Sequence, residues 1–430
     1  MASSEAAIWG FGREGLAAYE HLQATRPDLS LVILNDTPLA DAPEGVEVLT
    51  GDAAQQALRN GRFSLVVKSP GISLYRPEIV EAKIKGTRFT SGTNLWFEAH
   101  PDARTIAVTG TKGKSTVSRL IHHLLVKGGF DAKLLGNVGV AALSEAPARD
   151  WTVFELSSYQ LADFDHAAEI GVLTNLYPEH APWHGGVEPY YRDKLNIFRD
   201  AKTRAIANRA HAEVFKRTQN RANLVWFNDE AGFHETGGKL FFGAREVTVS
   251  NFALRGAHNI ANLAAACTAA EQAGVKGLRE RVDMAGFEQL HHRLEEFMAH
   301  GITCVDDSIS TVPQATLAAL AAYAEREIVL IAGGSDRGQT YDELAAALMR
   351  AKMAALILLP VTGARLREAL QKRGATFAMI DGANLADAVS TARKHVPKDG
   401  VILLSPAAPS FEEFKNFEER GKAFKAACQK

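Results

Sequence analysis

Eight residues carry the plainest chemistry in this sequence: Thr109-Gly110-Thr111-Lys112-Gly113-Lys114-Ser115-Thr116. They follow the apolar run Thr105–Val108 and precede the helical stretch Val117–Lys127. Between a strand and a helix, such a loop cradles phosphates with its backbone N–H groups. Lys114 then reaches the β/γ-phosphates and Ser115 can ligate Mg2+. The spacing departs from the common phosphate loop, because Val108 stands where a glycine is usual. A Gly/Lys-rich surface turn is the competing reading, and the strand-to-helix setting weighs against it. A second glycine motif, Gly10-Phe11-Gly12-Arg13-Glu14-Gly15, also joins an expected strand to an expected helix, with Asp36 at the end of the next strand. Its geometry suits a pyrophosphate, with the acid on a ribose hydroxyl. NAD and the UDP end of a nucleotide sugar fit equally well, and a tight turn without a ligand is the bland alternative. Glu155 ends the run Thr152–Phe154, and Glu179-His180 follows Val172–Thr174. Carboxylate oxygens and an imidazole there suit a metal such as Mg2+, although isolated Glu and His residues are usually solvated loop residues. Lys194, taken alone, reads as a surface helix lysine.

These residues need elements to position them. Ala7–Trp9, Leu31–Leu34 and Leu65–Val67 read as buried parallel strands, with helices over Gly15–Gln23 and Ala53–Asn60 between them. A second series starts at Thr105–Val108 and continues through Thr152–Phe154 and Gly171–Leu173. A third runs through Gly301–Val305, Glu327–Ile331, Ala355–Leu359 and Val401–Leu404. Alternation of this kind predicts βαβ units with ligands at the carboxyl ends of the strands. The fold class expected is α/β in three lobes: a Rossmann-like N-terminal domain, a central P-loop ATPase-like domain with a mainly parallel sheet, and a Rossmann-like C-terminal domain. The expected bounds are 1–99, 100–292 and 293–430. Gly232–Asn251 alternates weakly and is expected to form a small antiparallel sheet.

Composition sets outer limits. A chain of 430 residues is too long for one ordinary domain. With 46% hydrophobic and 23% charged residues, disorder and fibrous classes are excluded. No apolar run approaches the ~18 residues of a membrane span, and the first residues lack the basic end and apolar core of a signal peptide. Cys267, Cys304 and Cys428 are scattered and odd in number, which argues against disulfides or structural zinc. The expectation is a cytoplasmic protein away from membranes. A net charge of −2 gives no electrostatic basis for binding nucleic acid.

The motifs together resemble the Mur ligases, ATP-dependent enzymes that add amino acids to the peptidoglycan precursor. The phosphate loop resembles the family's TGTxGKST. Gly136-Asn137-Val138-Gly139 resembles GNIG, Glu155-Leu156-Ser157-Ser158-Tyr159-Gln160 resembles ELSSxQ, and Thr174-Asn175 with Glu179-His180 resembles TNxxxDH. His258-Asn259 with Asn262 matches HNxxN, and His292-Arg293 the family's HR. Within the family, Ser69-Pro70-Gly71-Ile72, Asp307-Ser308 and the segment from Leu404 to Glu418 are similar to ligases that add glutamate to UDP-N-acetylmuramoyl-L-alanine.

The resemblance implies roles. Gly10, Gly12, Asp36, Ser69, Gly71 and Asn137 would hold the sugar nucleotide. Gly110, Thr111, Lys112, Gly113, Lys114, Ser115 and Thr116 would bind ATP, with Asn259 and Asn262 at its base and Arg293 and Asp307 at its phosphates and ribose. Ser115, Glu155, His180 and Lys194 would serve two Mg2+ ions, Lys194 as a carbamate. Lys114, His180, Lys194 and Arg293 would be the catalytic set. Thr311, Arg337, Ser410 and Phe417 would line the amino-acid site. A monomer is expected.

The departures from the family pattern are informative. Ile309 replaces a lysine after Asp307-Ser308, Arg337 replaces another, Glu179 replaces aspartate, and Lys112 replaces asparagine. Lys and Arg hold a carboxylate differently. A subgroup with these same replacements adds L-glutamate, whose stereocentre a separate epimerase inverts, so L-glutamate is the acceptor expected, with D-glutamate as the alternative. An NAD-dependent oxidoreductase would leave Lys114, Ser115 and Glu155 without a task. A folylpolyglutamate synthase-like ligase normally lacks the first lobe. A non-catalytic nucleotide sensor would not need the whole set.

Overall fold

The computed structural model describes residues 5–39, 42–137, 141–254, 256–288, 291–336, 339–410 and 413–430. Contacts divide the chain into two compact units at Phe287/Glu288.

The first unit holds two large parallel sheets. In the first of these, β1 (Glu5–Trp9), β2 (Ser30–Asn35), β3 (Glu47–Thr50), β4 (Leu65–Lys68) and β5 (Arg88–Thr90) are ordered β3-β2-β1-β4-β5. The order reverses beside β1, so the loops after β1 and β4 open onto one crevice. There the Ser69 hydroxyl donates to the Gly10 carbonyl at 2.6 Å. The helix Arg13–Thr25 lies so close under β1 that a Cβ on Gly15 would stand 2.2 Å from the Gly10 carbonyl oxygen. Only glycine permits that approach.

In the second sheet, β6 (Thr105–Thr109), β7 (Ala132–Gly136), β8 (Trp151–Glu155), β9 (Ile170–Leu173), β10 (Arg204–Asn208) and β11 (Leu224–Phe227) are ordered β11-β10-β9-β6-β8-β7. Every residue of β6, β8 and β9 is buried, as a sheet covered on both faces requires. One face packs the helices Lys114–Lys127 and Ala257–Gln272 through Val117, Leu120, Leu124, Leu263 and Ala266. The other packs Phe154, Leu173 and Phe198 against Trp96 and Phe97 of the helix Gly92–Ala99, which ties the first sheet to the second. The sheet reverses beside β6, placing the loops after β6, β8 and β9 at one end.

The stretch expected as a small antiparallel sheet forms one with β12 (Phe233–Thr236), β13 (Lys239–Phe242) and β14 (Arg245–Glu246). Its last residues depart: β15 (Thr248–Ser250) leaves to pair in parallel with β16 (Arg281–Asp283).

The second unit is one mixed sheet: β17 (Glu295–Ala299), β18 (Ile302–Asp306), β19 (Ile328–Gly334), β20 (Met353–Val361), β21 (Ala378–Asp381) and β22 (Val401–Leu404), ordered β17-β18-β22-β19-β20-β21. Only β17 is antiparallel to its neighbour. Its sequence, EEFMA, has neither the apolar run nor a strict alternation that marks a strand. No helix among the described residues is long and apolar enough to cross a membrane.

Candidate active site

The phosphate-type loop leaves the end of β6 and is braced from outside. Thr174 Oγ1 donates to the Lys112 carbonyl at 2.8 Å, and the Lys112 N–H donates to Asn175 Oδ1 at 2.7 Å. Thr111 Oγ1 accepts the Tyr177 N–H at 2.9 Å and lies 2.9 Å from the Tyr190 hydroxyl. Gly113 adopts φ +82° and hands the chain to the helix Lys114–Lys127, whose first turn holds Ser115 and Thr116. The unpaired N–H groups of such a turn favour an anion. Lys114 Nζ donates to the Thr111 carbonyl at 3.1 Å and so arches over the loop. A Cβ on Gly113 would lie 2.7 Å from Asn262 Oδ1, and Asn262 in turn donates to Asn259 Oδ1 at 3.2 Å. The two asparagines, remote in sequence, thus back the loop.

A cavity of about 380 Å³ opens in front of it, lined by Lys114, Asn137, Ser158, His180 and Lys194 from the second sheet and by Arg13 and Pro70 from the first. Lys194 is the clearest correction to the residue-level reading. It is 1% exposed, donates to the Gly110 carbonyl at 2.8 Å, and is no surface lysine. Burial, then the neighbouring Lys114 ammonium, holds its pKa well below the usual lysine range. Glu155 is equally buried; its Oε1 accepts from Asn137 Nδ2 at 3.0 Å, while its Oε2 has no hydrogen-bond partner among the described residues. A buried carboxylate oxygen without a donor is a costly arrangement that a bound cation would relieve. His180, at φ +53°, sits 3.0 Å through Nδ1 from the Tyr159 hydroxyl, and burial lowers its pKa. Two departures from the family pattern prove to be partners: Lys112 Nζ meets Glu179 Oε1 at 2.6 Å.

In the first sheet, Gly10 and Ser69 meet as described, but Asp36 is engaged: Trp9 Nε1 donates to it at 3.3 Å and Arg76 at 2.7 Å. The loop from Ser69 to Tyr75 is tied to the second sheet. Trp183 Nε1 donates to the Gly71 carbonyl at 2.9 Å, and the Tyr75 hydroxyl donates to Asp193 at 2.9 Å. Gly12, by contrast, has nothing within 4 Å of where a Cβ would stand.

In the second unit, Asp307 is buried after β18. Its Oδ2 accepts from Ser310 and from Ser405 at 2.7 Å, and burial raises its pKa to about 6 despite these donors and the Arg293 guanidinium. The Phe417 carbonyl accepts from Ser308 at 2.8 Å, which brings Phe417 beside the Asp307 turn; Thr311 closes that turn through its N–H to the Ile309 carbonyl at 2.9 Å. Ser410 is buried and its carbonyl caps Phe414 at 2.9 Å. Arg337 lies outside the described residues. Arg420, which sequence reasoning passed over, is buried and donates to Ser308 Oγ, the Ser308 carbonyl and the Ala408 carbonyl at 3.0, 2.8 and 3.0 Å. The first unit held comparable omissions in Arg13, Ser158, His184 and Asp193. Arg13 and Ser158 stood inside quoted motifs, whereas nothing local marks His184 or Asp193.

Comparison with known proteins places the chain in a family. The pattern of the Mur ligase middle domain matches residues 108–270, and that of the Mur ligase glutamate ligase domain matches 292–408. A UDP-N-acetylmuramoyl-L-alanine–L-glutamate ligase of Xanthomonas euvesicatoria pv. vesicatoria is 36% identical over 97% of this chain and 93% of its own. One of the same name from Salinispora tropica is 38% identical over 98% of this chain and 97% of its own. A MurF ligase of Thermotoga maritima, solved with ADP, shares the fold at a TM-score of 0.58 and 14% identity, over 99% of this chain and 94% of its own. The chain belongs to the Mur ligase family.

Proposed function

We propose that this protein joins L-glutamate to UDP-N-acetylmuramoyl-L-alanine at the expense of ATP, forming ADP and phosphate in the synthesis of the peptidoglycan precursor. The observation that carries the reading is the shared cavity. Lys114 of the phosphate-type loop and Arg13 and Pro70 of the first sheet line one space, where a phosphoryl donor and a nucleotide-sugar carboxylate can meet.

A carboxylate is a poor acyl donor, so the γ-phosphoryl group is first transferred to the alanyl carboxylate. The glutamate amine then attacks the acyl phosphate, and phosphate leaves from the tetrahedral intermediate. Lys114 lies where it can neutralise charge on the phosphoryl oxygens, and the first turn of its helix offers N–H donors. Asn137, which lines the same cavity, suits the substrate's polar groups. Gly10, Gly12, Ser69, Gly71 and Asp36 are the candidate contacts of the UDP end. Asn259 and Asn262 are those of the nucleotide, together with Arg293 and Asp307. Thr311, Ser410 and Phe417, with Arg337, are those of glutamate.

The donor set fits two Mg2+ ions: Ser115 would hold one beside the ATP phosphates, and the open oxygen of Glu155, His180 and a modified Lys194 would hold the other. When bound, the cations supply Lewis-acid neutralisation of phosphate charge. Lys194 fits carbamylation because burial favours its neutral amine, which adds to CO2 with loss of one proton. An L-glutamyl product would then pass to a separate epimerase for inversion.

The test is phosphate release and product mass with each glutamate enantiomer and UDP-N-acetylmuramoyl-L-alanine. Turnover with D-glutamate alone refutes the stereochemistry, and turnover with neither refutes the ligase reading. Lys114→Ala is expected to abolish turnover while leaving the protein folded.

A further inference from the structure

Between the two sheets of the first unit runs a hydrogen-bonded chain, buried at Ser158, His184 and Asp193 and exposed at Tyr75 and Arg192, that the ligase chemistry above does not use. His184 is fully buried; its Nδ1 lies 2.5 Å from Asp193 Oδ2 and its Nε2 lies 3.0 Å from Ser158 Oγ. The Tyr75 hydroxyl donates to both Asp193 oxygens at 2.9 Å, and Arg192 donates to the Tyr75 oxygen at 3.2 Å. The direction of the protons follows from the partners. An ionised carboxylate only accepts, so His184 Nδ1 carries the hydrogen. When the imidazole is neutral, Nε2 is the acceptor and the Ser158 hydroxyl donates into it. Ser158 lines the cavity, and with its proton committed it has only lone pairs left to offer there.

The ends of the chain give it meaning. Tyr75 belongs to the loop that starts at Ser69, the candidate sugar-nucleotide loop. Asp193 immediately precedes Lys194. The neighbouring Trp183 holds the same loop through the Gly71 carbonyl at 2.9 Å and stacks on Tyr159, with ring centroids 4.5 Å apart.

We propose that His184 is a positioning residue. Held by Asp193 and Tyr75, it fixes Ser158 Oγ as an acceptor for the alanyl amide N–H of the acyl-donor substrate, and so aligns the carboxylate with Lys114. The inference rests on the ligase reading, whose failure would show separately as an inactive wild-type protein.

The experiment uses the full chain and the variants Tyr75→Phe, Ser158→Ala and the double variant. Tyr75→Phe keeps the ring and removes only the hydroxyl, so it is the variant least disturbing to the fold. KM is the readout, because partial unfolding lowers the active fraction and Vmax but leaves KM unchanged. Each single variant is expected to raise the KM for the nucleotide sugar about tenfold, the factor equivalent to one hydrogen bond of about 1.4 kcal/mol. The double variant is expected to be no worse than the singles, because both break the same link, and the KM for ATP stays within about twofold. A nucleotide-sugar analogue with an ester oxygen in place of the alanyl N–H should lower wild-type kcat/KM about tenfold and cost Ser158→Ala nothing further. Unchanged KM in the single variants, a double effect near the product of the singles, a parallel rise for ATP, or equal analogue losses in both proteins would each overturn the proposal.

Discussion

Gly113→Ala tests whether the loop after β6 is a phosphate cradle. At φ +82° an L-residue is strained by roughly 1–2 kcal/mol. The added Cβ would also stand 2.7 Å from Asn262 Oδ1. That atom ends a flexible side chain, so the amide swings away and its Nδ2 gives up the 3.2 Å bond to Asn259 Oδ1. The lost bond costs about 1 kcal/mol. In the free protein the loop escapes both costs by relaxing. ATP binding must restore the loop, and therefore bears roughly 2–3 kcal/mol, a rise in KM for ATP of roughly 30- to 150-fold. The assay is steady-state ADP release with ATP varied, beside the melting-temperature shift that saturating ATP produces. The KM for the nucleotide sugar serves as the internal control and should hold. A folded Gly113→Ala protein whose KM for ATP stays within about threefold would refute the reasoning, because the loop would then not need its native form to bind nucleotide.

Gly12→Ala meets no atom within 4 Å and has an unstrained φ of −90°, so the melting temperature should hold. If the pyrophosphate approaches the backbone there, the KM for the nucleotide sugar rises several-fold, and an unchanged KM removes Gly12 from the site. Arg420→Met takes a buried charged donor from three acceptors, so urea unfolding of the second unit should lose about 3 kcal/mol; a change below about 1 kcal/mol would contradict the geometry. Burial raises the Asp307 pKa from 3.8 to about 6, so the folded state binds the extra proton in that window. Stability from this group is therefore full below pH 3.8 and is lost as pH rises through about 6, by about 3 kcal/mol. Unfolding free energies measured from pH 4 to 7 should fall less steeply in Asp307→Asn, and parallel profiles would count against the burial argument.

Local signals carried the first half of the candidate site. The phosphate-type loop and the glycine motif each consist of a strand, a turn that only certain residues can make, and a helix, all within a few neighbouring positions. Glu155 and His180 were legible for the same reason, as residues at strand ends. Lys194 was not, because its burial arises from a carbonyl at Gly110 that the chain supplies far upstream. Tyr75 and Asp193 meet across a sequence separation of 118, and no local periodicity encodes such a pair. The strand β17 escaped notice because an edge strand can carry charge, and β15 changed partners because Arg281–Asp283 lay nearby in space. Side-chain networks depend on which elements meet, and that was set by the packing of Trp96, Phe97 and Phe154 rather than by any motif.

The ion pair between Lys112 and Glu179 joins two departures from the general family pattern. Two positions that look like independent departures hold one another at 2.6 Å beside the phosphate-type loop. Reverting Lys112 to asparagine leaves the Glu179 carboxylate without this cation, whereas reverting Glu179 to aspartate keeps the charge and shortens its reach. A chimaera that brings asparagine to position 112 therefore also removes the cation that holds residue 179 in place.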